Sequence, residues 1–255
     1  MTAPGVAAVV ITHGRSDDLE RCVAALSPQV DELVVVANLP GTTQPLPAGV
    51  RVVENDRPVG FAANANRGVA LTDAPLVIVA NPDAIAEPGA VAALARVAAG
   101  RPRCGICGPQ LRYPDGRWQP SRRRFPTVGG TLVRRTPLRA VMKPGERQRG
   151  HYLLDERPDA PVEADWMLGA FLLYRRTMLD EIGGLDEGFR LYGEDIDVCY
   201  RAMKAGWERW YVPDALVTHD YPAVIDNRFL TRRTLWHWRG ILRFVRKHPE
   251  RLRAM

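Results

Sequence analysis

No apolar run in this 255-residue chain approaches the roughly 18–20 residues that a helix needs to cross a bilayer. The first apolar stretch, Val6–Thr12, has no basic segment before it and is too short for a secretory core. It reads as the opening strand of a cytoplasmic protein. Cysteine is scarce, with four in all. Cys104 and Cys107 form one CxxC, but no second pair stands at zinc spacing and no histidine pair follows, which leaves core packing as their reading. Aromatics make up 7% and hardly interleave with the arginines between Arg112 and Arg149. With no nucleic-acid motif in the chain, that sparsity speaks against DNA or RNA as the partner. Internal repeats and low-complexity tracts are missing too.

What is present suits one large soluble domain, or one domain with a small appendage: 46% hydrophobic and 25% charged residues. The net charge of +6 is unevenly placed, crowding Arg112–Arg149 and returning from Arg228 to Arg253. Such patches fit a phosphorylated substrate or an anionic membrane surface. Along the first hundred residues, strands alternate with helices. Val6–Thr12, Asp31–Asn38, Val50–Asn55 and Pro75–Asn81 are short Val/Ile-rich runs. Between them lie a helix capped by Ser16, a small-faced helix over Gly60–Thr72, and later a helix ending on Gly100. Near-continuous apolar strands alternating with helices predict an α/β fold, a mostly parallel sheet covered on both faces. Further strands are expected at "CGICGPQL" and across "ADWMLGAFLLYRR", with helices at "RTMLDEIGG" and "GEDIDVCYRAMKAGW". Residues of about 112–162 read as a long Pro- and Arg-rich loop, a length usually reserved for function.

Ligands of such sheets sit beyond the carboxyl ends of the strands. Thr12-His13, Asn38, Asn55-Asp56 and Asn81-Pro82-Asp83 all fall there. Asn81-Pro82-Asp83 reads either as a plain turn or as a strand end offering oxygen ligands to a hard cation. Glu194, Asp195 and Asp197 open a helix, where they complement its dipole or supply a general base. His219 follows an apolar run and is either structural or a third metal ligand.

In order, the strand carrying Thr12, "NDRPVGFAANANRG", "VIVANPDA", "GGLDEGFRLYGEDIDVCYRA" and "VPDALVTHD" resemble the inverting family-2 glycosyltransferases of the GT-A fold. The nearest likeness is to the bacterial rhamnosyltransferase-like branch that acts on cell-envelope polysaccharides. The resemblance spans residues of about 6–220. It implies a Rossmann-like nucleotide-binding sheet and metal-dependent transfer of a sugar, rhamnose in that branch, from a nucleoside-diphosphate donor. The acceptor it implies is a glycan or a polyprenyl-diphosphate-linked sugar. By position, Asp83 would hold Mg²⁺ or Mn²⁺ with His219 completing the metal site, and Asp195 would be the base, with Glu194 beside it. Thr12, His13, Arg15, Asn38, Asn55, Asp56, Gly60, Asn64, Arg67 and Asn81 would line the nucleotide sugar, and Trp166 and Gly169 the acceptor pocket. Residues 1–225 would form one catalytic domain, with a nucleotide half to about 110 and an acceptor half after it.

Three positions depart from the family pattern: Ala37-Asn38 replaces an acid-containing pair, His13-Gly14 follows the first strand, and Asn81 takes the place of the first acid of the DxD-type motif. Residues 226–255 carry a basic amphipathic helix, with Trp238, Ile241, Leu242 and Val245 as its apolar stripe. This helix either docks on the domain or meets the inner face of the plasma membrane as a peripheral contact. Two rival readings remain at this level. A sugar nucleotidyltransferase would need a Gly-rich phosphate loop after the first strand, and "THGRSDDLE" supplies none. A glycosyltransferase-like binding protein without turnover would have little use for intact Asp83, Glu194, Asp195 and His219.

Overall fold

The computed structural model describes residues 4–125, 153, 156–220 and 232–252. Most of the arginine-rich stretch before Gly150 lies outside them.

The apolar runs form the strands expected of them: β1 (Val6–Thr12), β2 (Glu32–Ala37), β3 (Arg51–Glu54) and β4 (Leu76–Ala80). They pair in parallel in the order β3-β2-β1-β4. Every residue of β1 is buried, because both faces of the sheet are covered. Alternate side chains go to opposite sides, as a two-residue strand repeat requires. Ala8 and Val10 pack with Leu19 of α1 (Asp17–Leu26) and Leu94 of α3 (Ala90–Ala99). Ala7 and Val9 pack with Ala62 and Ala65 of α2 (Phe61–Val69). Helix α2 lies so close to β1 that a Cβ on Gly68 would stand 2.1 Å from a methyl of Val9.

Local chemistry sets the helix ends. Ser16 accepts a hydrogen bond from the Asp18 N–H at 3.1 Å, the cap expected for α1. Helix α3 takes its cap from elsewhere: the Gln29 side chain accepts from the N–H groups of Gly89 and Val91. Gly100 does end α3, but in a right-handed conformation (φ −74°) instead of the left-handed one usual for a terminal glycine.

Beyond β4 the sheet becomes mixed. The path continues through β11 (Phe171–Arg175), β6 (Cys104–Arg112), β12 (Glu208–His219) and β5 (Ala84–Ala86). Strand β11 runs antiparallel to β4 and β6, and β12 runs parallel to β6 and antiparallel to β5. Strands β7 (Trp118–Gln119) and β9 (Val162–Glu163) attach at β6 and β12. The four cysteines are buried thiols, as the sequence suggested, with Cys104 and Cys107 sulfurs 3.2 Å apart inside β6.

One expected strand divides in two. "ADWMLGAFLLYRR" is continuous in hydropathy, but Trp166–Met167 forms β10, which pairs with β8 (Arg122–Arg123) in a separate ribbon, and only Phe171–Arg175 joins the main sheet. The break falls at Leu168–Ala170, where the Leu168 N–H turns to the Ser121 carbonyl and a Cβ on Gly169 would lie 3.2 Å from that of Asp195.

Helix α4 (Arg176–Ile182) follows β11, and α5 (Glu194–Lys204) precedes β12. The C-terminal helix α6 (Arg232–Lys247) docks on the domain. Its seat follows the stripe read from the sequence only in part: Trp238, Ile241 and Val245 are half-buried. Gly240, Phe244 and, just beyond the helix, His248 face inward, while Leu242 is 51% and Leu235 50% exposed. Asp197, fully buried in α5, receives Arg201 at 2.7 Å, Lys247 at 3.0 Å and His248 at 2.8 Å. Lys247 and Arg243 also reach Asp186, whose carboxyl they hold well below its usual range against the opposing effect of burial. Asp197 is thereby committed to anchoring α6.

Candidate active site

Two carboxylate-bearing turns meet at one end of β4 and β11. The Asn81 N–H donates to the Ala170 carbonyl at 2.8 Å, and the neighbouring Gly169 N–H donates to Asp195 Oδ2 at 3.2 Å. A short main-chain path thus links Asn81-Pro82-Asp83 to the start of α5.

Asp83 ends the turn, and sheet pairing brings His219 to it: His219 stands opposite Ala84 in the β12–β5 ladder, and the Asp220 N–H donates to the Asp83 carbonyl at 3.2 Å. His219 Nε2 lies 3.6 Å from Asp83 Oδ1, beyond hydrogen-bonding range. The other ring nitrogen, Nδ1, donates to Gln119 Oε1 at 2.9 Å, which assigns the imidazole proton to Nδ1 and turns the Nε2 lone pair toward the carboxylate. Burial lowers the His219 pKa to about 4, so the ring is neutral near pH 7. Burial, with the charges of Asp18 and Asp220, raises Asp83 to about 6 against its own main-chain hydrogen bond. Asp83 Oδ1 is buried and accepts no hydrogen bond. A buried carboxylate oxygen facing an imidazole lone pair is a donor set that suits a divalent cation. Among the described residues no three His, Cys, Asp or Glu side chains cluster as a complete cage. Hard cations commonly complete such partial sites with substrate phosphates and water.

At the second turn, Tyr192 (φ 70°) and Gly193 (φ 98°) bend the chain sharply into α5. A positive φ at a tyrosine is costly and persists only where the surroundings enforce it. Here a Cβ on Gly240 of α6 would stand 2.3 Å from the Tyr192 carbonyl oxygen, so the C-terminal helix buttresses the bend. Asp195 is partly exposed, and its two oxygens accept from the N–H groups of Gly169 and Ile196. Burial raises its pKa, while these two hydrogen bonds and the charge of Arg123 pull it down. Glu194 is 8% exposed, and its Oε2 is buried with no hydrogen-bond partner. Burial first, and the Asp195 charge second, push Glu194 up to about 8, so near pH 7 it holds a proton.

The sign for stability follows from that shift. A carboxyl raised from 4.5 to about 8 on folding contributes stability that is complete below pH 4.5 and is lost as pH rises through about 8. Glu194→Gln lacks this loss. Between those limits its stability relative to the parent is expected to grow with pH, at up to about 1.4 kcal/mol per pH unit, the slope of one proton. Chemical denaturation of parent and variant at pH 5, 6.5 and 8 measures it, and parallel curves would contradict a buried, protonated Glu194.

The residues expected around the nucleotide gather at the ends of β1, β2 and β3, though several face inward. Asn38 Oδ1 accepts from the Val59 N–H at 2.8 Å and from Asn55 Nδ2 at 2.9 Å, and Asn38 Nδ2 lies 3.0 Å from His13 Nδ1. Asn55 Nδ2 also donates to Asn64 Oδ1, and Arg67 donates to Asn55 Oδ1 and the Glu54 carbonyl. Asn64 is fully buried, with its remaining amide hydrogen bond going to the Gly60 carbonyl. Gly60 caps α2 where a Cβ would press on the Phe189 carbonyl at 3.0 Å. Asn38, Asn55, Asn64 and Gly60 therefore hold the β3–α2 loop in shape, whereas His13, Arg15 and Asp56 are exposed at its rim. Thr12 is buried and donates to the Gly14 carbonyl at 2.6 Å.

Trp166 is 4% exposed and stands opposite Arg123 in the β8–β10 ribbon. Two residues escaped the sequence reading. Gln119, which sets the His219 tautomer, belongs to no motif. Arg123 was one of many arginines.

The chain matches the family model "Glycosyltransferase like family 2" over residues 4–237. It is 34% identical over 238 residues to N-acetylglucosaminyl-diphospho-decaprenol L-rhamnosyltransferase of Mycobacterium tuberculosis, covering 83% of this chain and 74% of that protein. Rhamnosyltransferase WbbL of Escherichia coli is 37% identical over a shorter segment, 32% of this chain and 30% of that one. Among solved structures, GalNAc-T7 with UDP, GalNAc and Mn²⁺ superposes with a TM-score of 0.70 at 16% identity, over 96% of this chain and 48% of that one. The mannosyltransferase PcManGT of Pyrobaculum calidifontis, with GDP-Man and Mn²⁺, gives 0.62 at 16% identity, over 98% and 65%. This chain thus spans about half of the first structure's length.

Proposed function

Since the chain belongs to glycosyltransferase family 2 and is a GT-A-type glycosyltransferase, we propose that it is a metal-dependent, inverting enzyme that moves a sugar from a nucleoside diphosphate to a polyprenyl-diphosphate-linked acceptor. Two rhamnosyltransferases among its relatives favour rhamnose as the sugar. The observation that supports the reading is the path from Asp83 through Asn81, Ala170 and Gly169 to Asp195, which brings the two carboxylates to one sheet end, where Asp83 would hold a cation and Asp195 would act as base.

Asp83 and His219 would hold Mn²⁺ or Mg²⁺ beside the donor diphosphate, and both solved neighbours contain Mn²⁺. When bound, the ion supplies Lewis-acid neutralisation of the charge gathering on the departing diphosphate. Asp195 takes the proton of the acceptor hydroxyl as it attacks the anomeric carbon from the face opposite the nucleotide, which inverts the configuration. The Gly169 and Ile196 N–H groups fix the carboxylate's orientation for that transfer. Protonated Glu194 keeps a second charge from forming beside it. The asparagine network shapes the nucleotide loop, leaving Thr12, His13, Arg15, Asp56, Arg67 and Asn81 as the groups nearest the donor. Trp166 and Gly169 wall the acceptor side.

No described helix is long and apolar enough to cross a membrane. The outer face of α6, with Leu235, Leu242, Arg239 and Arg246 exposed, suits peripheral contact with an anionic leaflet, where a polyprenyl acceptor resides. Transfer assays with dTDP, UDP and GDP sugars and a polyprenyl-diphosphate sugar in anionic vesicles, with and without Mn²⁺, test the whole reading. One donor should give cation-dependent product of inverted configuration. Cation-independent turnover, or retention of configuration, would refute it.

A further inference from the structure

Two thiols in β6 are left unused by the transfer reaction. Cys104 and Cys107 stand three residues apart, and in a regular strand that spacing sends side chains to opposite faces. Here both belong to the core layer that holds Leu94 and Ala98 of α3, while Ile106 between them belongs to the other layer. The cause is one extra residue. Strand β12 advances a single step from Glu208 to Arg209 while β6 advances two, from Cys104 to Ile106, so Gly105 is left without a partner and forms a bulge. A side chain has no room there: a Cβ on Gly105 would lie 2.8 Å from Cγ of Met178 and 3.1 Å from Cβ of Trp207. Arg175 pins the main chain beside the bulge, donating to the carbonyls of Cys104 at 2.8 Å, Ala98 at 2.6 Å and Arg101 at 3.2 Å. The two sulfurs end 3.2 Å apart, about 1 Å short of bonding.

We propose that Cys104 and Cys107 are a redox modification site, a dithiol that hydrogen peroxide closes to an intrachain disulfide. The hydrogen bond between the thiols lowers the pKa of Cys104 against its burial, with the Arg175 and Arg101 charges assisting, and raises that of Cys107. Cys104 is therefore the attacking thiolate. Its sulfur bonds to one peroxide oxygen as the O–O bond breaks, water leaves, and Cys104 becomes a sulfenic acid. Cys107 then gives up its proton and attacks that sulfur: the S–S bond forms, the S–O bond breaks and a second water leaves. The two thiols lose two electrons, and the peroxide gains them. Both sulfurs are buried, but Cys104 opens its strand directly after the exposed Pro102 and Arg103, so a local opening of the strand start admits an oxidant little larger than water. Cys22 and Cys199 are buried as well and have no thiol neighbour among the described residues; Cys22 Sγ donates to the Asn81 and Ala84 carbonyls.

The experiment treats the reduced native protein with a small excess of hydrogen peroxide, removes the oxidant with catalase, and alkylates the denatured chain with iodoacetamide. Parent, Cys104→Ala and Cys107→Ala are mapped by mass after tryptic digestion, which places both thiols on one peptide, Cys104–Arg112. In the parent, two of the four cysteines should escape alkylation. Their peptide should weigh about 2 Da less than its dithiol form, the mass of the two hydrogens lost, and dithiothreitol should restore both alkylation sites. Cys104→Ala should leave Cys107 open to alkylation. In Cys107→Ala, dimedone should tag Cys104 as the sulfenic acid that no second thiol resolves. Four alkylated cysteines in the treated parent would overturn the proposal. So would sulfinic acid at Cys104 with Cys107 still alkylated, since the geometry would then not close the bond. A disulfide that forms in the urea-unfolded chain but not in the native one would overturn it too, as would pairing through Cys22 or Cys199. The parent carries the decisive measurement, so a variant that fails to fold does not blunt the test. The transfer reaction uses neither thiol, and the two readings therefore stand or fall separately.

Discussion

Asp195→Asn is expected to lower kcat by about 10²- to 10⁴-fold, the usual worth of a positioned general base, while nucleoside diphosphate binds as it does to the parent. The variant is a clean probe because the site asks two things of the carboxylate that can be separated. One is geometric: its oxygens accept from the Gly169 and Ile196 N–H groups. An asparagine keeps one acceptor oxygen and the same shape, so the fold should lose no more than the roughly 1 kcal/mol of one hydrogen bond. The other is chemical, because an amide cannot take the proton of an attacking hydroxyl. Pre-steady-state transfer and nucleotide titration on the same preparation separate the two. A variant within tenfold of parental kcat would remove Asp195 from the chemistry.

The second large effect concerns Asp83. Nucleoside diphosphate should bind the parent more tightly with Mn²⁺ or Mg²⁺ than without, and Asp83→Ala should erase that difference. Losing a mere supporting residue around a metal costs about 10- to 100-fold in affinity. Losing the carboxylate of a site with one carboxylate and one imidazole should cost at least that. Folding is a weak objection here, since Asp83 Oδ1 is buried without a hydrogen bond and the carboxyl's one partner is its own main chain. Calorimetric titration with and without cation reads the outcome, and parental cation dependence in the variant would end the metal assignment.

How much of this was legible beforehand depended on whether the signal was local. Strands β1–β4 announced themselves because strands buried on both faces read as unbroken Val/Ile runs, and Ser16 marked a helix start that the structure keeps. Asp83 and Asp195 stood out through motif order. Contacts made by sheet pairing left no trace. His219 reaches Asp83 through the β12–β5 ladder, and only topology determines that register. Gln119 reaches His219 from the end of a two-residue strand that carries no pattern at all. The break at Leu168–Ala170 was hidden by hydropathy that never changes sign across it. The docking face of α6 was not legible for a different reason. Its seat is aromatic and ionic, with Tyr200 5.7 Å from Phe244 and 4.6 Å from His248, so a glycine, a phenylalanine and charged groups fill it in place of the largest aliphatic stripe.

The anchoring of α6 also bears on the order of events during synthesis. Chains emerge amino terminus first, and domains begin folding as they appear. Helix α5 is made well before Lys247 and His248, and until those two arrive the buried Asp197 has Arg201 as its cationic partner among the described residues. A buried charge short of its partners is destabilising, and the Tyr192 bend has no Gly240 against it at that stage. A nascent chain can therefore assemble the parallel half of the sheet early, yet the turn that carries Asp195 gains these supports only after Gly240, Lys247 and His248 have emerged.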